Sequence, residues 1–567
     1  MTAASSSGDA GVIAPPSRVH TVLLSWHART VAAGQEKEGD WMKRRSFWLY
    51  GAMALIGLGW LGGRLAADTP VDFGVAVERA LAENSLDLFG IRKPLKESAL
   101  GPYTGADSAQ AVIAAKGLQV TVVSTATHPE SDQIALWPND DHPTHLFTCA
   151  EITGAPTTGP HLPVVERVDL SQPANANVTF IVSGLNSCDP VRRTPWGTII
   201  FAEEAGSNGG FYEIMDPGGA FPSPVDVTDR ATGATTDPRV VKRKAVGSLS
   251  FEGIVILQDG TMYLGDELRP GTNPPGSGSR GGALFKFIPQ FKFGGIGVIT
   301  DPALSPFASG SVYGMRIGNG TGNNTDFGQG TEIGQGVWLP IDTANFTDAN
   351  GNIILRNAQV SLNLTGYYRP EDYDLDPIAL ARGDVRFCGA NTGRMSNGGG
   401  SDVETASTYG EVICVTDEPD EKATTGANPV VRRFIAGDTQ ANYFDNVAFQ
   451  PHTGNLVVLE DGEVEVIKRA GPTQTTELRG NDIWMCLPDG DDRDVQSDGC
   501  IRILSLTDTS AEPTGFIFAG SGRTAYVNIQ HRSVGTGALL KITGFEIRKH
   551  RDLFDDGHGH GFDHDQH

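Results

Sequence analysis

Positive charge is what this chain has too little of: 44 lysines and arginines stand against 68 aspartates and glutamates, a formal net charge of −24 over 567 residues. A surface of that sign repels phosphodiester backbones, which excludes nucleic acid as a specific ligand. It suits a soluble protein, a site that gathers cations, or both. Long apolar runs are scarce. The run from Ser46 to Leu61 spans about sixteen residues with interspersed glycine, short of the ~20 that a membrane helix needs. No long amphipathic helical pattern persists beyond about residue 110, which argues against a parallel α/β fold. A Gly-x-Ser-x-Gly elbow in a strand–helix context is missing, and Ser187, beside Cys188, is no substitute for one. The six cysteines are few for a chain large enough to need no disulfide staples.

Turn residues are abundant, with 71 glycines and 33 prolines, and short runs rich in Val, Ile, Phe and Tyr lie between them. This reads as an all-β chain with tight turns. One pattern recurs: a glycine turn, a short apolar strand, then acidic or amide residues. It appears as TPWGTIIFAEE (194–204), QDGTMYLGDE (258–267), RGDVRFCGANT (382–392), YGEVICVTDE (409–418), HTGNLVVLEDG (452–462) and GSGRTAYVNIQ (520–530). A second strand with a polar residue precedes many of them, as in SFEGIVIL (250–257), YRPEDYDLDP (368–377), FDNVAF (444–449) and AEPTGFIF (511–518). That is the rhythm of β-propeller blades, whose inner strands aim their ends at a central channel. A β-sandwich is the alternative, but it would not so readily bring an acid from each strand end to one axis. The uneven spacing expects long inserted loops at 266–282 and 305–365. The DGDD-containing stretch at 488–499 lacks the full twelve-residue calcium-loop pattern and reads as a solvated hairpin.

The acids at strand ends are Glu151, Glu203, Glu204, Glu252, Asp266, Glu267, Glu371, Asp445, Glu460, Asp461 and Glu512, with Cys188 nearby in a polar turn. If the blades converge, several carboxylates share one place and cannot all ionise without cations. Calcium suits carboxylate oxygens; a thiolate among them calls for a softer metal such as iron. Of the other cysteines, Cys486 and Cys500 flank a loop and can pair, whereas Cys388 and Cys414 sit in apolar runs that suit buried thiols.

From Met42, a basic Lys43-Arg44-Arg45 stretch leads into the apolar run, and Arg44 to Leu49 resembles the twin-arginine export motif. Residues 42–67 are expected to be the signal, with cleavage near Ala67. Residues 1–41 are polar and unpatterned, and Met42 is the expected true start. Residues 68–139 then lead into a propeller domain at 140–550, followed by a His- and Asp-rich tail at 551–567.

With these residues in place, the chain resembles the PhoX-type alkaline phosphatases. The family stretch N-C-A-G-G-x-T-P-W-G-T followed by two glutamates is matched by Asn186-Ser187-Cys188, Thr194 to Thr198, and Glu203-Glu204. Phe251-Glu252-Gly253, YLGDE at 263–267, Arg369-Pro370-Glu371, Phe444-Asp445-Asn446-Val447, Glu512-Pro513-Thr514-Gly515 and Val527 to His531 carry the rest. The chain departs from the family at Ala150-Glu151 and Phe251-Glu252, where a histidine is expected before the acid, and at Asp189 to Arg193, which replace the small residues after the cysteine. The resemblance implies a six-bladed propeller and an exported hydrolase of small phosphomonoesters, held at the membrane by its signal segment alone and monomeric. It implies Ca2+ and Fe3+ cofactors, with Cys188 as a free thiolate ligand of iron. Glu151, Glu203, Glu204, Glu252, Asp266, Glu371, Asp445 and Glu512 are the other implied metal ligands, and Arg369 the implied phosphate clamp. A calcium-dependent propeller hydrolase of another ester class, or a non-catalytic calcium-stabilised propeller, stays open at this level. Edman sequencing of the exported protein is expected to start near Ala67; a first residue before 42 would refute both the assigned start and the signal.

Overall fold

The computed structural model describes residues 75–153, 161–269, 281–318, 333–393, 409–418, 429–438, 440–462, 468–470, 476–489 and 496–548. The expected extension 1–41, the signal 42–67, the tail 551–567 and the middles of the 266–282 and 488–499 segments lie outside these residues.

Six strands organise the rest: Ser131–Trp137, Cys188–Arg193, Phe251–Ile256, Pro370–Leu375, Phe444–Phe449 and Glu512–Phe518. Each lies at an edge of its sheet. Each pairs antiparallel with the strand that follows it: His145–Ala150, Ile199–Glu203, Met262–Asp266, Val385–Asn391, Leu456–Glu460 and Thr524–Gln530 respectively. The six edge strands pack against one another in chain order and the last returns to the first, forming a closed cycle. Edges that would otherwise be open to solvent thus cover one another. A sandwich of two stacked sheets does not produce such a cycle.

The sheets radiate from this cycle. One of nine strands has two of the inner strands at its two edges, because Gly334–Pro340 and Val430–Ala436 pair across its middle. The early part of the chain completes the last two sheets. Gln119–Ser124 pairs with Ala538–Thr543, and Val112–Ala114 with Cys500–Leu506, so residues near the two ends of the described chain are knitted together. The 305–365 segment is not a plain inserted loop: it contains the strands Gly310–Ile317 and Gly334–Pro340 and the helix Leu355–Leu362. Its glycines obscured the intervening apolar residues.

Apolar side chains fill the spaces between sheets. The TPWGT motif belongs to this layer: Trp196 is fully buried among Phe211, Phe251, Phe285 and Phe307, and its Nε1 donates to Glu213 at 2.8 Å. Thr198 Oγ1, Arg243 Nε and Ser305 Oγ also donate to Glu213, so a buried carboxylate ties four segments together. Asp417 plays the same part in the nine-stranded sheet, accepting from Lys286 Nζ at 2.6 Å, Tyr263 Oη at 2.6 Å and Trp338 Nε1 at 3.1 Å.

All six cysteines are paired, as Cys149–Cys188, Cys388–Cys414 and Cys486–Cys500. Cys486 and Cys500, whose pairing the sequence left open, are joined. The reading of Cys388 and Cys414 as buried thiols is corrected: they sit directly opposite each other on adjacent strands, a register that burial alone does not reveal.

Replacing Lys286 by methionine leaves Asp417 buried without its cation. Denaturant unfolding is expected to show a loss of about 3–5 kcal/mol, and an unchanged midpoint would remove the pair from the fold's support.

Candidate metal centre

All six inner strands share one irregularity near their first residues. Ser131 faces Ala150, yet the next pair is Ile134 with Thr148, so the inner strand holds one extra residue. The same step separates Cys188/Glu203 from Val191/Phe201, Phe251/Asp266 from Ile254/Leu264, and Pro370/Asn391 from Tyr373/Gly389. It recurs between Phe444/Glu460 and Val447/Val458, and between Thr514/Asn528 and Ile517/Tyr526. A bulge bends its strand and re-aims the side chain within it. The residue just inside each bulge is Asp132, Asp189, Glu252, Glu371, Asp445 and, in the sixth, Gly515. Five of these six positions therefore carry a carboxylate, and Glu512 supplies one from the sixth strand.

These carboxylates meet. Asp132, Glu151 and Asp189 place ligand atoms within 4.8 Å of one another, as do Asp132, Asp445 and Glu512, and Glu252, Glu371 and Asp445. The second strands add the next layer through paired residues at their ends. In Glu203-Glu204, the first acid turns away: Glu203 accepts from Asn186 N and Gly210 N and is ion-paired with Arg230. Glu204 instead lies beside Glu267, and burial together with the Glu267 charge raises its pKa. In Asp266-Glu267, Asp266 accepts from Ser250 N and pairs with Arg356 at 2.8 Å, while Glu267 holds Arg369 Nε at 2.7 Å. In Glu460-Asp461, Glu460 accepts from Asn442 N, Asp482 N and Trp484 Nε1, while Asp461 lies beside Glu512. Adjacent strand residues point to opposite faces, so each doublet gives one member to the scaffold and one to the centre.

The expected ligands divide accordingly. Glu151, Glu204, Glu252, Glu371, Asp445 and Glu512 come together. Glu203 and Asp266 point elsewhere: Glu203 is held by Arg230 and the amides of Asn186 and Gly210, and Asp266 by Arg356 and the Ser250 amide. Cys188 is corrected, because its sulfur is bonded to Cys149 and is not a free thiolate. Asp132 and Asp189 were missed. The signal that could have found them is their position one residue after the start of an inner strand, the same as that of Glu252, Glu371 and Asp445.

Arg369 is a cation set among these acids, and Arg269 Nε lies 3.9 Å from Glu267. Besides Glu267, Arg369 Nε lies 3.0 Å from Glu371 and its Nη2 3.5 Å from Asp461. Its φ of 56° is left-handed, a conformation that costs of order 1 kcal/mol or more in a non-glycine residue. Ser187 and Tyr443, which also precede inner strands, have φ of 47° and 54°. Neighbouring amides and hydroxyls orient the carboxylates: Gln133 Nε2 donates to Glu252 at 3.0 Å, Gln530 Nε2 to Glu151 at 3.1 Å, and Thr392 Oγ1 to Glu371. The VNIQH motif at Val527 to His531 contributes through Gln530, and through Asn528, which donates to Thr148 at 2.9 Å.

Electrostatics set the chemistry. Burial, reinforced by neighbouring carboxylates, pushes Asp132, Asp189, Asp445, Glu204 and Glu512 well above the usual acid range. Burial lifts Glu371 to about 8 despite Arg369. Burial opposes the charge of Arg369, but Glu371, Glu267 and Asp461 outweigh it and raise its pKa further. Asp132 Oδ1 and Asp189 Oδ1 are buried with no hydrogen-bond partner. Convergent carboxylates with orphaned oxygens fit hard cations such as calcium. The donor set contains no free thiolate.

Inner strands that gather carboxylates in this way can hold cations. The family model described as "Alkaline phosphatase PhoX" matches residues 169–533. The chain belongs to that family and is a metal-dependent phosphatase, a hydrolase of small phosphomonoesters. Among solved structures it is similar to Pseudomonas fluorescens PhoX in complex with vanadate, a transition state analogue, with a TM-score of 0.52, 15% identity, and coverage of 80% of this chain and 98% of that one. That likeness shows a shared propeller-like β fold. A gluconolactonase from Xanthomonas campestris aligns with a TM-score of 0.35, 12% identity, and coverage of 79% and 96%. No curated protein sequence matches the chain. No helix among the described residues is long and apolar enough to cross a membrane.

The raised carboxyls make the cation-stripped protein sensitive to pH. Their folded pKa values exceed the unfolded ones of about 4, so their contribution to stability is complete below that pH and is lost as pH rises through the folded values. In EDTA the melting temperature is expected to fall as pH increases from 4 to 9, and added calcium to flatten the decline. Melting curves that ignore calcium at every pH would show that these carboxylates hold no cation.

Proposed function

We propose that this phosphatase works at a cluster of calcium and iron cations held by Glu151, Glu204, Glu252, Glu371, Asp445 and Glu512, with Arg369 as the phosphate clamp. The observation that carries the reading is the repeated bulge, which brings carboxylates from different sheets within ligand distance of one another. The six mutually covered edge strands support a six-bladed propeller with the cluster at one end of its channel. The twin-arginine signal supports export to the periplasm or beyond, and a folded export route allows cations to be loaded first. The enzyme acts as a monomer, with no membrane contact beyond its signal.

Bound there, the cations supply the Lewis acidity and local positive charge that a phosphate monoester needs in an otherwise acidic protein. The chain's own residues position the rest. Arg369 offers a planar, permanently charged fork to two phosphate oxygens. Glu267, Glu371 and Asp461 hold that fork, and its left-handed backbone fixes where it starts. Gln133, Gln530 and Thr392 keep Glu252, Glu151 and Glu371 in orientation by hydrogen bonds, as second-layer partners do in metal sites.

Arg369→Ala is expected to lower kcat/KM for p-nitrophenyl phosphate at alkaline pH by about 10²–10³, the loss typical of one transition-state donor, while bound calcium and iron stay at wild-type levels. A variant as fast as the wild type would remove Arg369 from the site.

A further inference from the structure

The centre contains two carboxylates that the family resemblance does not assign. Asp132 and Asp189 are each only 3% exposed. They occupy the same bulge position as Glu252, Glu371 and Asp445, on the strands Ser131–Trp137 and Cys188–Arg193. Both face Glu151 within 4.8 Å. Their Oδ1 atoms are buried and have no hydrogen-bond partner, an arrangement that is costly unless something outside the chain satisfies it. The residue just before Asp189 is Cys188, whose sulfur is bonded to Cys149. At position 189, where the resemblance expects a small residue, this chain has a carboxylate.

We infer that Asp132 and Asp189 are cation ligands of this centre, and that Asp189 supplies as a carboxylate the donor that a free Cys188 would supply as a thiolate. The inference rests on the metal-centre reading above. The repeated bulge gives these two side chains the same aim as the three acids already assigned, and the orphaned oxygens mark where a cation sits. The resulting centre has oxygen donors alone. Such a donor set favours hard cations and needs no reduced cysteine, which suits a protein whose cysteines are all paired.

The test uses the full chain stripped with EDTA and titrated with calcium alone, read by equilibrium dialysis and by thermal melting. The variants are Asp132→Asn, Asp189→Asn, Glu371→Gln and the double variant Cys149→Ser/Cys188→Ser. Each Asp→Asn variant is expected to lose one bound calcium equivalent or at least tenfold in affinity, and Glu371→Gln to weaken binding similarly. The double cysteine variant is expected to bind calcium as the wild type does. In EDTA, the Asp→Asn variants are expected to melt no lower than the wild type, because a repelling charge is gone, and in calcium to gain less. A merely structural aspartate would instead lower both melts.

Wild-type calcium binding in both Asp→Asn variants, alongside a loss in Glu371→Gln, would overturn this inference and leave the centre standing. Absence of calcium binding in the wild type would overturn both. A lost equivalent in the double cysteine variant, or a visible iron–thiolate absorption band in the native protein that this variant lacks, would return the role to Cys188.

Discussion

Like charges forced together without water govern this molecule. The inner strands deliver carboxylates to one place, and the distances between them leave little room for solvent to screen their repulsion. Such a group of anions must take up protons, pair with fixed cations or recruit mobile ones. Arg369 is a cation set among them, shared by Glu267, Glu371 and Asp461, and Arg269 also lies near Glu267. The remaining carboxylates are left to take up protons or to bind cations, and the proposed phosphatase chemistry rests on the second. The net charge of −24 would repel an anionic substrate, so attraction has to be created locally.

The rest of the fold keeps that demand from breaking the protein apart. Each bulge sits next to a regular ladder whose side chains are buried on both faces, so the distortion is confined to the strand entrance. Acids close to the centre but facing away from it are held by donors: Glu203 by Arg230, Asp266 by Arg356, and Glu460 by backbone amides and Trp484. Glu213 and Asp417 show the same rule deeper in the sheets, where a buried carboxylate is tolerated because several donors converge on it. Pairing of Gln119–Ser124 with Ala538–Thr543 resists opening of the cycle against the repulsion inside it.

Membership of the PhoX family explains the general plan, and the departures show where this chain goes its own way. The TPWGT motif is a packing element built on Trp196 and Glu213. VNIQH acts one layer out, where Gln530 orients Glu151. The cysteine next to the acids is tied to Cys149, and an aspartate stands beside it.

Much of this was legible in the sequence. The glycine-punctuated apolar runs gave the all-β class and the propeller rhythm. The doublets Glu203-Glu204, Asp266-Glu267 and Glu460-Asp461 marked the strand ends, and the excess of acid announced a cation site. Which member of each doublet faces the centre was not legible, because strand residues alternate sides and a shift of one residue exchanges them. Asp132 and Asp189 share with Glu252, Glu371 and Asp445 the second position of an inner strand, but which strands are inner is fixed only by the pairing of strands distant in sequence. The pairing of Cys149 with Cys188 and of Cys388 with Cys414 likewise depends on which strands become neighbours. Composition and local pattern determined the elements and the kind of chemistry. Register and the closing of the cycle decided which carboxylates meet, because only contacts between residues distant in sequence can bring like charges so close together.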